Sequence, residues 1–118
     1  MNNSGGRSMK KSVILATALG LFAIPSAFPQ GKGNASEGKD AFLKHCAACH
    51  GADGNGKEAV AKLLKVTIPP LGSKDVQSLS DDGIRKVITE GKGKMKPVRD
   101  LSKADLANLT AFIRTLQK

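Results

Sequence analysis

Both cysteines and both histidines of this 118-residue chain stand within six consecutive positions, His45-Cys46-Ala47-Ala48-Cys49-His50. Two thiols separated by two residues and followed at once by an imidazole form a recognisable chemical set. Cys-x-x-Cys-His is the sequence at which c-type haem is attached. The spacing suits that reaction. The two thiols add across vinyl groups on neighbouring pyrrole rings, and one helical turn presents both sulfurs to a single porphyrin edge. The next residue, His50, then points its imidazole at the iron from the same side. Ala47 and Ala48 are small, as a turn pressed against a flat ring requires.

Other chemistries of the same residues fit less well. A thioredoxin-like redox pair uses Cys-x-x-Cys, but it belongs among strands, and no segment here alternates with period two. A zinc site would need two pairs of adjacent residues to converge in a tetrahedron, with no second ligand cluster elsewhere. A disulfide between Cys46 and Cys49 would close a trivial loop. His45 directly precedes a cysteine that must face the porphyrin. Its own side chain is therefore directed elsewhere, as a partly solvated residue at a helix end.

A haem iron offers two axial positions, and His50 takes one. The sixth ligand is expected to be Met95. It lies 45 residues beyond His50 in Gly91-Lys92-Gly93-Lys94-Met95-Lys96-Pro97. Two glycines before it and a proline after it shape a loop that can carry a side chain inward. A methionine between Lys94 and Lys96 has no apolar stripe to join, so a ligand role explains it better than packing does. An open sixth position is the alternative.

The elements that must hold these residues read as short helices. Ser36 is the expected N-cap of a helix running to about His45, with Phe42 and Leu43 as its apolar contacts. Residues 51–56 form a Gly/Asp/Asn loop. Glu58–Lys65 has a helical pattern, and Val66–Gly72 must be extended or turning because Pro69 and Pro70 forbid a helix interior. Ser80 opens a helix over DDGIRKVITE, with Gly91 at its C-terminal end. Ser102 and Asp105 stand in a capping-box relation. Leu106, Leu109, Ile113 and Leu116 line one face of a last helix. The fold class is therefore all-α, with long loops, and such loops in a small domain usually wrap something.

Composition places this set outside the cytoplasm. Arg7, Lys10 and Lys11 precede Val13–Ile24, a run of 12 apolar and small residues. That run is shorter than the about 20 residues a membrane-spanning helix needs. Residues 1–27 are accordingly expected to be a secretory signal peptide, residues 28–35 a flexible lead-in, and residues 36–118 one domain. The leader carries three of the 19 Lys and Arg and none of the 10 Asp and Glu, which leaves a net charge of +6. The remainder has only Phe28, Phe42 and Phe112 as aromatics. A domain so small and so poor in aromatics needs a staple at its centre. The same poverty argues against nucleic-acid binding.

From Ser36 onward the chain resembles the class I mono-haem c-type cytochromes of the short bacterial type. The resemblance rests on Gly38-x-x-x-Phe42, on Cys46 to Gly51, on Pro69 and Leu71, and on Met95 before the Leu106–Leu116 stripe. It differs in one place, where Lys96 separates Met95 from Pro97. The resemblance implies a cytochrome c fold wrapped round one covalent haem c. It implies that the Pro69 carbonyl accepts a hydrogen bond from His50 Nδ1, and that Gly38 lets the first and last helices cross closely. It also implies electron transfer rather than catalysis. A His/Met pair saturates the iron, and the thioether favours its ferrous state. Leu63, Leu64, Leu71, Ile84, Ile88 and Leu109 are expected to surround the group.

The functional expectation is a monomeric, non-enzymatic carrier in the periplasm or another extracytoplasmic space. It would pass single electrons between redox proteins with acidic docking surfaces, without stable membrane insertion once the leader is cleaved. Lys92, Lys94, Lys96 and Arg99 would steer such partners. Two alternatives stand beside it: a haem subunit of a dehydrogenase or oxidase complex, or a five-coordinate haem peroxidase or sensor if Met95 is not a ligand.

Overall fold

The computed structural model describes residues 32–118. The signal peptide expected over residues 1–27 lies outside the described residues. Six helices follow in order: α1 (Ala35–His45), α2 (Ala47–His50), α3 (Glu58–Leu64), α4 (Lys74–Gln77), α5 (Asp81–Glu90) and α6 (Lys103–Thr115). Among the described residues there is no strand, only one isolated antiparallel pair between Lys92 and Met95. The all-α architecture matches expectation.

Two helix starts form as their sequences dictate. Ser80 accepts from the Gly83 N–H at 3.0 Å, and α5 ends at Gly91 with φ 77°. Ser102 accepts from the Asp105 N–H at 3.0 Å while Asp105 accepts from the Ser102 N–H at 2.9 Å, a complete capping box. The Ser102 hydroxyl, donating to Asp105 Oδ2 at 2.7 Å, and the Ser102 N–H hold the Asp105 carboxyl below the usual carboxylate range.

The start of α1 differs from expectation. Asn34, not Ser36, is the N-cap, and its Oδ1 accepts from the N–H groups of Ser36 and Glu37 at 2.9 and 3.3 Å. The cause lies 74 residues away. The Asn34 N–H donates to Asn108 Oδ1 at 2.7 Å, and Asn108 Nδ2 donates to Glu37 Oε2 at 2.7 Å. The end of the expected lead-in is thus built into the domain rather than free. Gly33 rests on the α6 backbone so closely that a Cβ would lie 2.1 Å from the Ala107 carbonyl oxygen.

The core lies where α1, α5 and α6 meet. Phe42, Ile84, Ile88, Leu109, Phe112 and Ile113 are buried together. Helices α1 and α6 cross at Gly38, where a Cβ would stand 1.9 Å from the Asn108 carbonyl oxygen. The expected close crossing is present, and only hydrogen fits there. Arg114 closes the far end of the bundle. Its guanidinium donates to Asp81 Oδ1 from Nε and Nη2 at 3.0 and 2.8 Å, and to the carbonyls of Gln77 and Leu79 at 2.8 and 2.6 Å. Gln77 Nε2 in turn donates to the carbonyls of Leu71 and Ile113.

Helix α3 ends one residue earlier than expected, because Lys65 caps it in the left-handed region at φ 53°. No residue of α3 is buried, and Leu63 is 80% exposed. Leu63 and Leu64 therefore do not join the core, whereas Ile84, Ile88 and Leu109 do.

Candidate haem-attachment site

Cys46 sits at a corner. It caps the C-terminus of α1 and opens α2, with φ −122° and ψ −32°, and its N–H donates to the Phe42 carbonyl at 2.8 Å. Its carbonyl accepts from the N–H groups of both Cys49 and His50, at 3.2 and 3.0 Å. One turn therefore carries both thiols and the imidazole. Gly51, at φ 76°, lets the chain leave that turn. The departing loop closes back on it. The N–H groups of Gly56 and Lys57 donate to the carbonyls of His50 and Cys49 at 2.7 and 2.9 Å, and the Leu71 N–H reaches the Gly54 carbonyl at 2.9 Å.

The two thiols differ. Cys46 is half-buried against the core, and burial pushes its thiol up to about 11. Cys49 is exposed, and neither forms a disulfide. A thiol pushed up by burial is unsuited to thiolate redox chemistry.

The His50 ring lies tilted against Phe42, with 47° between the two planes. Its ring centroid lies 6.4 Å from that of Phe42, which lies 5.1 Å from Phe112. Burial lowers its pKa, which favours the neutral imidazole that a metal requires. The expected hydrogen bond from His50 Nδ1 to the Pro69 carbonyl is not formed in this structure. Nδ1 is buried with no partner, and Pro69 sits exposed on a segment that meets the site loop at Gly56, beside Ile68, and at Gly54, through the Leu71 N–H. His45, the last residue of α1, is half-buried.

Met95 is half-buried between exposed lysines. It closes a two-residue turn in which Lys92 and Met95 exchange both backbone hydrogen bonds at 3.0 Å. Gly93 takes φ 58° at the first central position, as a II′ turn demands. The Val98 N–H then donates to the Ile88 carbonyl at 2.9 Å, pinning the loop to the buried end of α5. Loop geometry of this kind was not legible from the glycine and proline spacing alone.

The residues fit a porphyrin bound through thioethers. Two unpaired thiols and a neutral imidazole share one turn, and an uncovered apolar surface lies beside them in sequence. From Cys46 to Ser80 glycines alone are buried, at positions 51, 54 and 72. Leu63 and Leu64 of α3 face outward. An amphipathic segment without an apolar neighbour needs one, and a flat hydrophobic group supplies it. A zinc site has no such support, since among the described residues no three His, Cys, Asp or Glu side chains group to hold a metal ion.

The chain is similar to several known proteins. Residues 33–113 match the family model described as "Cytochrome C oxidase, cbb3-type, subunit III". The chain is 31% identical over 93 residues to cytochrome c-554(547) of Halothiobacillus neapolitanus, which covers 72% of this chain and 99% of that protein. It is 37% identical over 84 residues to the cbb3-type cytochrome c oxidase subunit FixP of Azorhizobium caulinodans. That match covers 69% of this chain, which spans only 29% of the FixP length. Among solved structures, the KustC0563 c-type cytochrome superposes with a TM-score of 0.59 at 28% identity, over 69% of this chain and 98% of the other. Cytochrome cL from Hyphomicrobium denitrificans does so with 0.56 at 29%, over 71% of this chain and 48% of the other.

Proposed function

This chain belongs to that family as a small class I c-type cytochrome, a haem c electron carrier, and we propose that it binds its haem through Cys46 and Cys49 with His50 and Met95 as axial ligands. When bound, haem c supplies a one-electron ferric/ferrous couple, so electrons pass without any bond being made or broken. The observation that carries the reading is the single turn on which Cys46, Cys49 and His50 share one hydrogen-bonded carbonyl.

The chain's own residues set the terms of that exchange. Cys46 and Cys49 would hold the group from one turn through the thioethers they form with it. Phe42 packs beside the His50 ring. In the haem-loaded protein the Pro69 carbonyl would accept from His50 Nδ1, which is otherwise buried without a partner. Met95 would fill the sixth position and exclude oxygen and peroxide, as a carrier rather than an enzyme requires. Its thioether, together with apolar surroundings, favours ferrous iron and raises the potential.

The carrier works outside the cytoplasm, exported by the leader over residues 1–27, and acts as a monomer. Among the described residues no helix is long and apolar enough to cross a membrane. Lys92, Lys94, Lys96 and Arg99 are exposed and form no ion pair among the described residues. This unpaired positive charge beside Met95 steers acidic redox partners and raises the on-rate more than the affinity. A second reading is favoured by the match to FixP: the chain serves as the haem subunit of an oxidase complex.

The test begins with a denaturing gel stained for haem. Haem stays on the wild-type chain and is lost from Cys46→Ser/Cys49→Ser; retention in the double variant refutes the attachment. Stopped-flow electron transfer with acidic partner proteins should slow as salt rises, since exposed charges are screened beyond about 8 Å at physiological ionic strength. Pull-down from membranes at low salt separates shuttle from subunit: a subunit co-purifies with a stable oxidoreductase, a shuttle does not.

A further inference from the structure

We infer that Gly91 is a positioning residue for the sixth ligand: the absence of a side chain there sets where the Met95 backbone lies. The inference rests on the reading of Met95 as an axial ligand. Its own support is geometric. Gly91 terminates α5 with φ 77° and ψ 173°, and its N–H donates to the Val87 carbonyl at 2.9 Å. The chain then turns back through Lys92–Met95 and passes directly over the glycine. A Cβ at Gly91 would stand 2.5 Å from the Met95 carbonyl oxygen and 3.0 Å from the Pro97 ring. Real Cβ atoms do not approach a backbone oxygen so closely, so any larger residue must push Met95 away from α5.

The turn cannot absorb that push freely. On one side Lys92 and Met95 are locked by their reciprocal hydrogen bonds. On the other, Val98 is held to the carbonyl of Ile88, a core residue only 4% exposed. The displacement therefore falls on Met95 and its neighbours. Gly93 provides the contrast. It also has positive φ, 58°, but a Cβ there meets nothing within 4 Å. Backbone strain is common to both glycines, whereas close approach to Met95 belongs to Gly91 alone.

The test compares Gly91→Ala, Gly93→Ala and Met95→Ala as haem-loaded proteins. The readouts are the weak red charge-transfer band of the ferric state, the reduction potential and the rate of cyanide binding. Gly91→Ala should lose most of the band, lower the potential and bind cyanide at least about ten-fold faster, because apparent binding scales with the fraction of molecules whose sixth position is open. Gly93→Ala should keep the wild-type band and cyanide rate. Should Gly91→Ala not accumulate in folded form, Gly91→Ala/Pro97→Ala, which removes the ring the new methyl would meet, is read against Pro97→Ala instead. A wild-type band and cyanide rate in the Gly91 variant, with the band lost in Met95→Ala, overturns the inference and leaves the ligand assignment standing. Equal loss in both glycine variants overturns it too, since strain alone would then explain the effect. An unchanged spectrum in Met95→Ala removes the ligand assignment and this inference together.

Discussion

The half of the molecule built from α1, α5 and α6 completes its own packing, whereas the half from Cys46 to Ser80 does not. In the first half six apolar side chains are buried together. In the second, glycines alone are buried, and an amphipathic helix shows its leucines to solvent. The difference teaches where the haem enters the folding problem. Helix α6 needs only α1 and α5 to satisfy it. Leu71 of the 66–72 segment packs against that core, but helix α3 needs a surface that the polypeptide does not provide, so binding free energy becomes folding free energy there.

Removing the attachment should have the largest effect on this contrast. In Cys46→Ser/Cys49→Ser the haem is lost, and the chain should become largely disordered. Hydrogen exchange should find amides of residues 46–80 fully unprotected, with any residual protection confined to α1, α5 and α6. Protection spread evenly over both halves, or a cooperative melt with native helix content, would break the comparison.

Within the packed half, Leu109→Ala truncates a side chain that is 0% exposed. It should destabilise the haem-loaded protein by about 2–5 kcal/mol in denaturant titrations. On the open half, Leu63→Ala should cost about 1–2 kcal/mol in the loaded protein, the scale expected for covering a leucine. In the apo chain the same substitution should cost nothing. An equal cost with and without haem would mean that α3 finds its apolar partner elsewhere.

The smallest effect concerns acid. Ser102 hydrogen bonds hold the Asp105 carboxyl below its ordinary range. A depressed carboxylate stabilises the fold above its unfolded pKa, and that stabilisation is lost as pH falls through the folded value. Ser102→Ala should cost about 1 kcal/mol near neutral pH, the usual worth of an N-cap. The gap between variant and wild type should narrow in acid, in thermal melts followed from neutral pH to below the carboxylate range. A gap independent of pH would show that the hydroxyl acts through the Asp105 N–H alone.

What could be read from the sequence was whatever closes within a few residues. The spacing of Cys46, Cys49 and His50 specifies one turn because helix geometry repeats over that length. Ser80 and Ser102 cap their helices with hydrogen bonds three residues long, and Gly91 stands where an α-carbon must take positive φ. Tertiary structure alone decided matters that join distant parts of the chain. Asn34 displaces Ser36 as a cap because Asn108, on another helix, holds its backbone. Arg114 fastens α4 and the start of α5 across more than 30 residues, and no periodicity announces a guanidinium that collects carbonyls. Leu63 and Leu109 are the same residue in similar helical patterns, yet one is 80% and the other 0% exposed. Hydrophobicity is a property of the side chain, but burial is a property of what the rest of the chain, or its cofactor, brings against it.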